Sequence, residues 1–273
     1  MPPGPLAAYE EFPFTAPVLG EEVTRVVYRR GAGPGVVIMH EVPGLYPQVV
    51  RFADRVVDAG FTVFLPHLFG EPGRELSTTY ALEGLARACV AREFKVFAAK
   101  ASSPITEWLR ALCRRAHAEL GGPGVGALGM CITGNFALAL MVDPSVMAPV
   151  LSQPSLPFAM GPKSKAAIHV SDEELAVIKR RAREEGVDVL GLRFSHDFMC
   201  PGARFETLRR ELGEHFEGIE IDSGPGNPNG LARTAHSVLS MELRDDAGHP
   251  TQQALQRVLG FFREKLGGAA AAP

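Results

Sequence analysis

Cys131 stands in the run Gly129-Met130-Cys131-Ile132-Thr133-Gly134-Asn135, after a short apolar stretch and before an apolar helical pattern. A thiol at a sharp strand-to-helix turn is presented as a nucleophile. Such a turn presses backbone against backbone, so small residues are needed two positions before the nucleophile and just after it, and Gly129 and Gly134 meet that need. The following helix would aim its free N–H groups and positive dipole end at the sulfur, favouring thiolate and supplying one donor to an oxyanion. A nucleophile also needs an imidazole to move its proton and a carboxylate to orient that imidazole. Downstream, Asp197 follows His196, and His236 lies in the long segment after the last apolar strand pattern.

These groups must be held by a sheet. Strand-like apolar runs fall at Val23 to Tyr28, Val36 to His40, Phe61 to Leu65, Gly124 to Met130, Ala148 to Leu151, Val189 to Phe194 and Phe216 to Ile221, most separated by helix-period segments. The alternation predicts a mostly parallel central sheet flanked by helices. Reactive groups then collect at the carboxyl ends of the strands. Those ends carry His40-Glu41, His67, Cys131, Gln153 and His196-Asp197. Cys131, Asp197 and His236 come in the order nucleophile, acid, histidine, which is the order of the α/β-hydrolase fold. Apolar stripes predict helices from about Gln48 to Ala59 and at the C-terminal end, and Ser171-Asp172-Glu173-Glu174 has capping-box spacing at the start of a charged helix ending near Gly186. A single domain over residues 1–273 is expected, loose at about 1–11 and 267–273, with a Pro-, Gly- and Ser-rich connection between Pro154 and Lys165.

The segment VVIMHEVPGLYPQVVRFADRVVDAGFTVFLPHL, from Val36 to Leu68, together with GMCITGN and the Asp197 and His236 regions, resembles the dienelactone hydrolase family over roughly Val23 to Leu266. The resemblance implies an α/β-hydrolase that opens carboxylic esters or lactones through a thioacyl enzyme, without a cofactor. It places the nucleophile on Cys131, and on Glu41 the carboxylate that interacts with the thiol until substrate enters. It assigns the oxyanion hole to the backbone N–H groups of Val42 and Ile132. It also implies substrates bearing a carboxylate, for which Arg92 and Arg233 are candidate binders. Two departures stand out: Thr133 replaces a family glycine, and the loop from Ser223 to Thr251 offers two histidines. His236 is preferred because it lies in the loop after the last strand, whereas His249 precedes Pro250 and suits a helix start. The context of His249, Asp245-Asp246-Ala247-Gly248-His249, with Val238 to Leu243 as a strand leading into it, argues the other way.

Simpler readings exist for each residue. Cys131 could be a buried small hydrophobe, Asp197 a turn residue and Glu41 a loop carboxylate. Cys200 could face the same cleft, while Cys89 and Cys113 fall in helix-period segments. His40 and His67 lack metal-ligand spacing, so no metal is expected. Gly124, Gly126 and Gly129 match G-x-G-x-x-G, but they run through a strand instead of opening a helix, which argues against a dinucleotide site.

The 273 residues are 46% hydrophobic with a formal net charge of -3, enough for a sizeable core and too little positive charge for a nucleic-acid surface. No apolar stretch reaches the roughly 20 residues that cross a bilayer, and Met1 to Glu11 lacks signal-peptide regions, so a cytoplasmic protein with free thiols and no membrane partner is expected. The partner that the resemblance implies is a small-molecule ester or lactone. A thioesterase or acyltransferase with the same residues, or a hydrolase-fold protein that only binds a ligand, would share this pattern.

Overall fold

A computed structural model describes residues 4–90, 103–155 and 161–267, with residues 85–90 as helical backbone alone. Eight strands form one sheet: β1 (Glu10–Val18), β2 (Glu21–Arg30), β3 (Gly35–Met39), β4 (Thr62–Pro66), β5 (Val125–Met130), β6 (Val146–Ser152), β7 (Val189–Phe194) and β8 (Phe216–Ile221), in the order β1-β2-β4-β3-β5-β6-β7-β8. β2 pairs antiparallel with both β1 and β4, and every pairing from β4 through β3 to β8 is parallel. The helices are α1 (Pro47–Asp58), α2 (Thr78–Val90), α3 (Ile105–Leu120), α4 (Gly134–Leu140), α5 (Pro162–Ala166), α6 (Asp172–Glu185), α7 (Gly202–Leu212) and α8 (Pro250–Leu266).

Strands buried on both faces read as continuous apolar runs, and β3, β4 and β5 are buried at every position. Their side chains still alternate. Val37 and Met39 join a core with Trp108 and Leu112 of α3, Ala137 and Leu140 of α4, Ile178 of α6 and Phe205 of α7. Val36 and Ile38 join the opposite core with Val49, Phe52 and Val56 of α1 and Leu255, Val258 and Phe262 of α8. Burying each such side chain stabilises by about 1.5–3 kcal/mol. The sheet is therefore clamped from both sides, and its strand ends form a rigid edge.

Chain order begins earlier than the proline-rich start suggests. Leu6 is fully buried and Tyr9 nearly so, with the Tyr9 hydroxyl donating to Asp54 Oδ1 at 2.8 Å. β1 follows from Glu10, so the start of the described chain packs against the fold, while residues 268–273 lie outside the described ones. Pro13 and Pro17 mask the strand pattern of β1. An edge strand tolerates proline because its missing N–H can face away from the sheet. α6 is capped as its spacing predicts: Ser171 Oγ accepts from Glu174 N, Glu174 Oε2 accepts from Ser171 N, and Gly186 ends the helix in the left-handed region. The Val238 to Leu243 segment forms turns, not a strand. Among the described residues no helix is long and apolar enough to cross a membrane.

Candidate active site

Parallel register sets the geometry of the strand ends. Met39 lies beside Gly129, Met130 beside Ser152, Ser152 beside Leu192, and Phe194 beside Ile221. The residues that follow these strands, Glu41, Cys131, Gln153 and Asp197, therefore leave the sheet at one edge. The chain after β8 returns there with His236.

Cys131 has φ +56°, a conformation that costs a non-glycine residue energy and recurs at functional turns. Its neighbours leave little alternative. A Cβ at Gly129 would lie 2.0 Å from the Thr133 carbonyl oxygen, and one at Gly134 would lie 2.8 Å from Pro154 Cα. The helix does not begin directly at the thiol as the sequence suggests. A 3₁₀ turn, Cys131–Thr133, intervenes before the seven-residue α4. Thr133 explains how the elbow accommodates a side chain where glycine is expected. Its hydroxyl accepts from Met130 N at 2.9 Å and faces the carbonyls of Met130 and Met39 at 2.9 Å and His40 at 3.2 Å. The elbow is thus tied to the end of β3. Ser155 N donates to the Cys131 carbonyl at 3.0 Å, which ties it to the end of β6 as well.

Asp197 is buried, and Arg193 cinches its loop by donating from Nε to the Cys200 carbonyl at 2.9 Å and from an Nη to the Ser195 carbonyl at 3.0 Å. Asp197 Oδ1 accepts from Met199 N at 2.9 Å, while Oδ2 lies 2.6 Å from His236 Nδ1. That contact fixes the proton on Nδ1 and leaves Nε2 free to exchange one. Nε2 is buried with no nitrogen or oxygen partner, and the Cys131 sulfur is the group that acts on it. Burial opposes charge on this imidazole, but the Cys131 sulfur and the Asp197 carboxylate outweigh it and hold the His236 pKa well above its ordinary value. The loop carrying His236 has no regular structure of its own. Leu231, Ala235, Val238, Leu239 and Leu243 pin it to the core.

His249 does not line the pocket that opens over the thiol. Its Nδ1 accepts from Thr251 N at 3.3 Å and caps α8. His40 is equally committed, with Nδ1 on the Glu41 carbonyl at 3.0 Å and Nε2 accepting from Leu68 N at 3.0 Å. Burial pulls its pKa down to about 3. No cluster of three potential metal ligands occurs among the described residues. Gly126 packs under Phe262, whose Cε1 would be 2.8 Å from a Cβ, so the glycine pattern in β5 serves packing. Cys200 is buried, its pKa pushed up to about 12 by desolvation. Cys113 is buried too, and the side chain of Cys89 lies outside the described residues.

A pocket of about 260 Å³ opens over the thiol, lined by Glu41, Val42, Cys131, Ile132, Ser155, Met199, His236 and Ser237, with Thr78, Ala81 and Leu82 of α2 on its far wall. Gly84 lets α2 sit close on this wall, since a Cβ there would lie 2.8 Å from Pro43 Cβ. Val42 and Ile132 both border the pocket, and the turn and loop hydrogen bonds of the described residues use neither N–H. Glu41 borders it too, yet its carboxylate accepts from Tyr46, Gln153, Ser237 and Ser240. Arg233 is exposed and does not line the pocket, and Arg92 lies outside the described residues. Among the described lining residues none is an arginine or a lysine that could hold a carboxylate.

Sequence patterns missed the partners of Glu41 and also Arg204. This arginine is buried under the site and donates to the Ala167 carbonyl at 2.6 Å, the Ser164 carbonyl at 3.3 Å and the Pro154 carbonyl. It joins α7 to the segment after β6, and its charge acts on Cys131 and Asp197. No periodicity marks such residues, because their role is to satisfy loop carbonyls brought close only by folding.

The fold is shared with solved structures of low sequence similarity. A Klebsiella pneumoniae protein assigned as a dienelactone hydrolase matches with TM-score 0.60 at 17% identity, over 94% of this chain and 99% of the other. A dienelactone hydrolase from Anabaena variabilis matches with TM-score 0.58 at 15% identity, over 95% and 99%. A cold-adapted esterase from an Arctic intertidal metagenomic library matches with TM-score 0.55 at 14% identity, over 95% of each chain. No curated protein sequence matches this one. The family model for dienelactone hydrolases matches residues 24–266, nearly the whole chain. The chain therefore belongs to the dienelactone hydrolase family, has the α/β-hydrolase fold, and is a hydrolase of the ester and lactone class.

Proposed function

We propose that the enzyme hydrolyses carboxylic esters or lactones through a thioacyl intermediate on Cys131. One observation carries this reading: the strained Cys131 and the buried Nε2 of His236 meet at the floor of a pocket, with Asp197 behind the imidazole. His236 Nε2 holds the proton taken from Cys131, and the thiolate Sγ attacks the carbonyl carbon. The Val42 and Ile132 N–H groups receive the charge that develops on the carbonyl oxygen. Collapse breaks the ester C–O bond, His236 returns the proton to the leaving alcohol, and a thioester remains. Water, deprotonated by His236, then attacks the thioester carbon and releases the acid and the thiol. Asp197 keeps the imidazole in the tautomer that this needs and stabilises the imidazolium.

The lining favours an acyl or alcohol portion that is largely apolar, since Val42, Ala81, Leu82, Ile132 and Met199 all border the pocket. The test is turnover of a small activated ester and of an unsaturated lactone by the wild type and by Cys131→Ala. Loss of both activities in a folded variant supports the reading. Retained turnover would remove the nucleophile from Cys131, and no turnover of any ester or lactone by the wild type would favour a ligand-binding role.

A further inference from the structure

Glu41 is the most heavily hydrogen-bonded side chain at the pocket floor. It is 2% exposed. Oε1 accepts from the Tyr46 hydroxyl at 2.5 Å and from the Ser240 hydroxyl; Oε2 accepts from Ser237 Oγ at 2.8 Å and from Gln153 Nε2 at 3.2 Å. Four donors match the four lone-pair directions of a carboxylate. Those donors come from three separate loops. Tyr46 follows β3, Gln153 follows β6 at a strained φ of +35°, and Ser237 and Ser240 follow β8 directly after His236. Gln153 reinforces the same link, since its Oε1 accepts from Val238 N at 3.4 Å. Tyr46 Oη also lies 3.1 Å from Ser240 Oγ, closing a ring around the carboxylate.

A carboxylate that gated the thiol would have to leave its partners when substrate entered. Here departure would strand four donors, three of them on residues fully buried. It would also release the two serines that follow the catalytic histidine. We propose that Glu41 is a fixed anchor for the His236 loop, so that the thiol–imidazole pair is assembled in the free enzyme and needs no movement of this carboxylate to react. Glu41 is on this view a positioning residue acting through Ser237 and Ser240. The inference rests on Cys131 and His236 acting as a pair, as proposed above.

The experiment measures alkylation of Cys131 by iodoacetamide without substrate, followed by mass spectrometry of the Cys131 peptide, in the wild type, Glu41→Gln and Ser237→Ala. The reaction forms a C–S bond and expels iodide, and it reads the thiol whether or not any ester is turned over. Wild-type Cys131 should react at once and faster than a free thiol at the same pH. Glu41→Gln puts an amide N–H₂ against donors, so the loop shifts and alkylation should slow roughly 10- to 100-fold, the cost of a displacement near 1 Å. Ser237→Ala should slow it less, in the same direction. On a small ester, both variants should lower kcat while KM stays within about twofold. Faster alkylation in Glu41→Gln, the behaviour of a released gate, would overturn the proposal, as would variants with altered melting but unchanged alkylation and kcat. If Glu41→Gln does not fold, Ser237→Ala and Tyr46→Phe carry the same comparison. Failure of the nucleophile reading shows separately, as ester turnover retained in Cys131→Ala.

Discussion

Gly129→Ala is the sharpest test of how the elbow is built. A Cβ placed there lies 2.0 Å from the Thr133 carbonyl oxygen, 2.5 Å from its carbon and 2.8 Å from Gly134 N. All three atoms are backbone, so no side-chain rotation relieves the clash. Restoring even a 3.0 Å contact requires an opening of about 1 Å within the turn that carries Cys131. Overpacking of this kind destabilises by about 1–3 kcal/mol, and a 1 Å displacement of the reacting atom lowers kcat about 100-fold. Gly126→Ala is the control, on the same strand. Its Cβ would meet the Phe262 ring at 2.8 Å, a side chain remote from the thiol. Urea denaturation and ester turnover of the two variants should therefore part: both lose stability, and Gly129→Ala alone loses most of its kcat in the folded state. Wild-type kcat in Gly129→Ala would refute the reasoning.

His236→Ala should lower kcat by about 10²–10⁴ for want of proton transfer, whereas His249→Ala should cost about 0.5–2 kcal/mol of stability through the lost cap and leave turnover intact; steady-state kinetics and thermal melts of the pair check this. Thr133→Val leaves the buried Met130 N–H without its acceptor, so it should destabilise by about 1–3 kcal/mol in urea denaturation and reduce kcat as the tie to the β3 end is lost. His40 supplies a pH test. Its folded pKa of about 3 lies below the unfolded value near 6.5, so the unfolded chain binds the extra proton and the contribution, full above pH ~6.5, is lost as pH falls towards 3. The stability advantage of the wild type over His40→Gln should accordingly shrink by about 1.4 kcal/mol per pH unit between pH 6 and 4, and a constant difference would contradict a neutral buried His40.

Much of this site was legible because it sits at strand ends. Apolar runs located β3 to β8, and an elbow needs glycine on steric grounds that a sequence displays directly. Asp197 could be nominated from its place after a strand, and chain order left His236 and His249 as the two candidates for the base. What stayed hidden depends on which backbone groups meet in space. Glu41 demands donors only once it is known to be buried, and Tyr46, Gln153, Ser237 and Ser240 carry no periodic signal. Arg233 was nominated by charge, and its exposure away from the pocket illustrates how weak a guide charge is without a wall to place it on. β1 was the readable element missed. Phe12, Phe14, Ala16 and Val18 alternate towards the core, and only Pro13 and Pro17 disguise them.

The central claim is that Cys131 carries the acyl group. Acid quenching of the enzyme during turnover of an activated ester, followed by peptide mass spectrometry, tests it directly. The account predicts a mass increase equal to the acyl group on the peptide containing Cys131, absent from Cys131→Ala, which no longer turns over. An acyl group on another residue, or full turnover in Cys131→Ala, would contradict it.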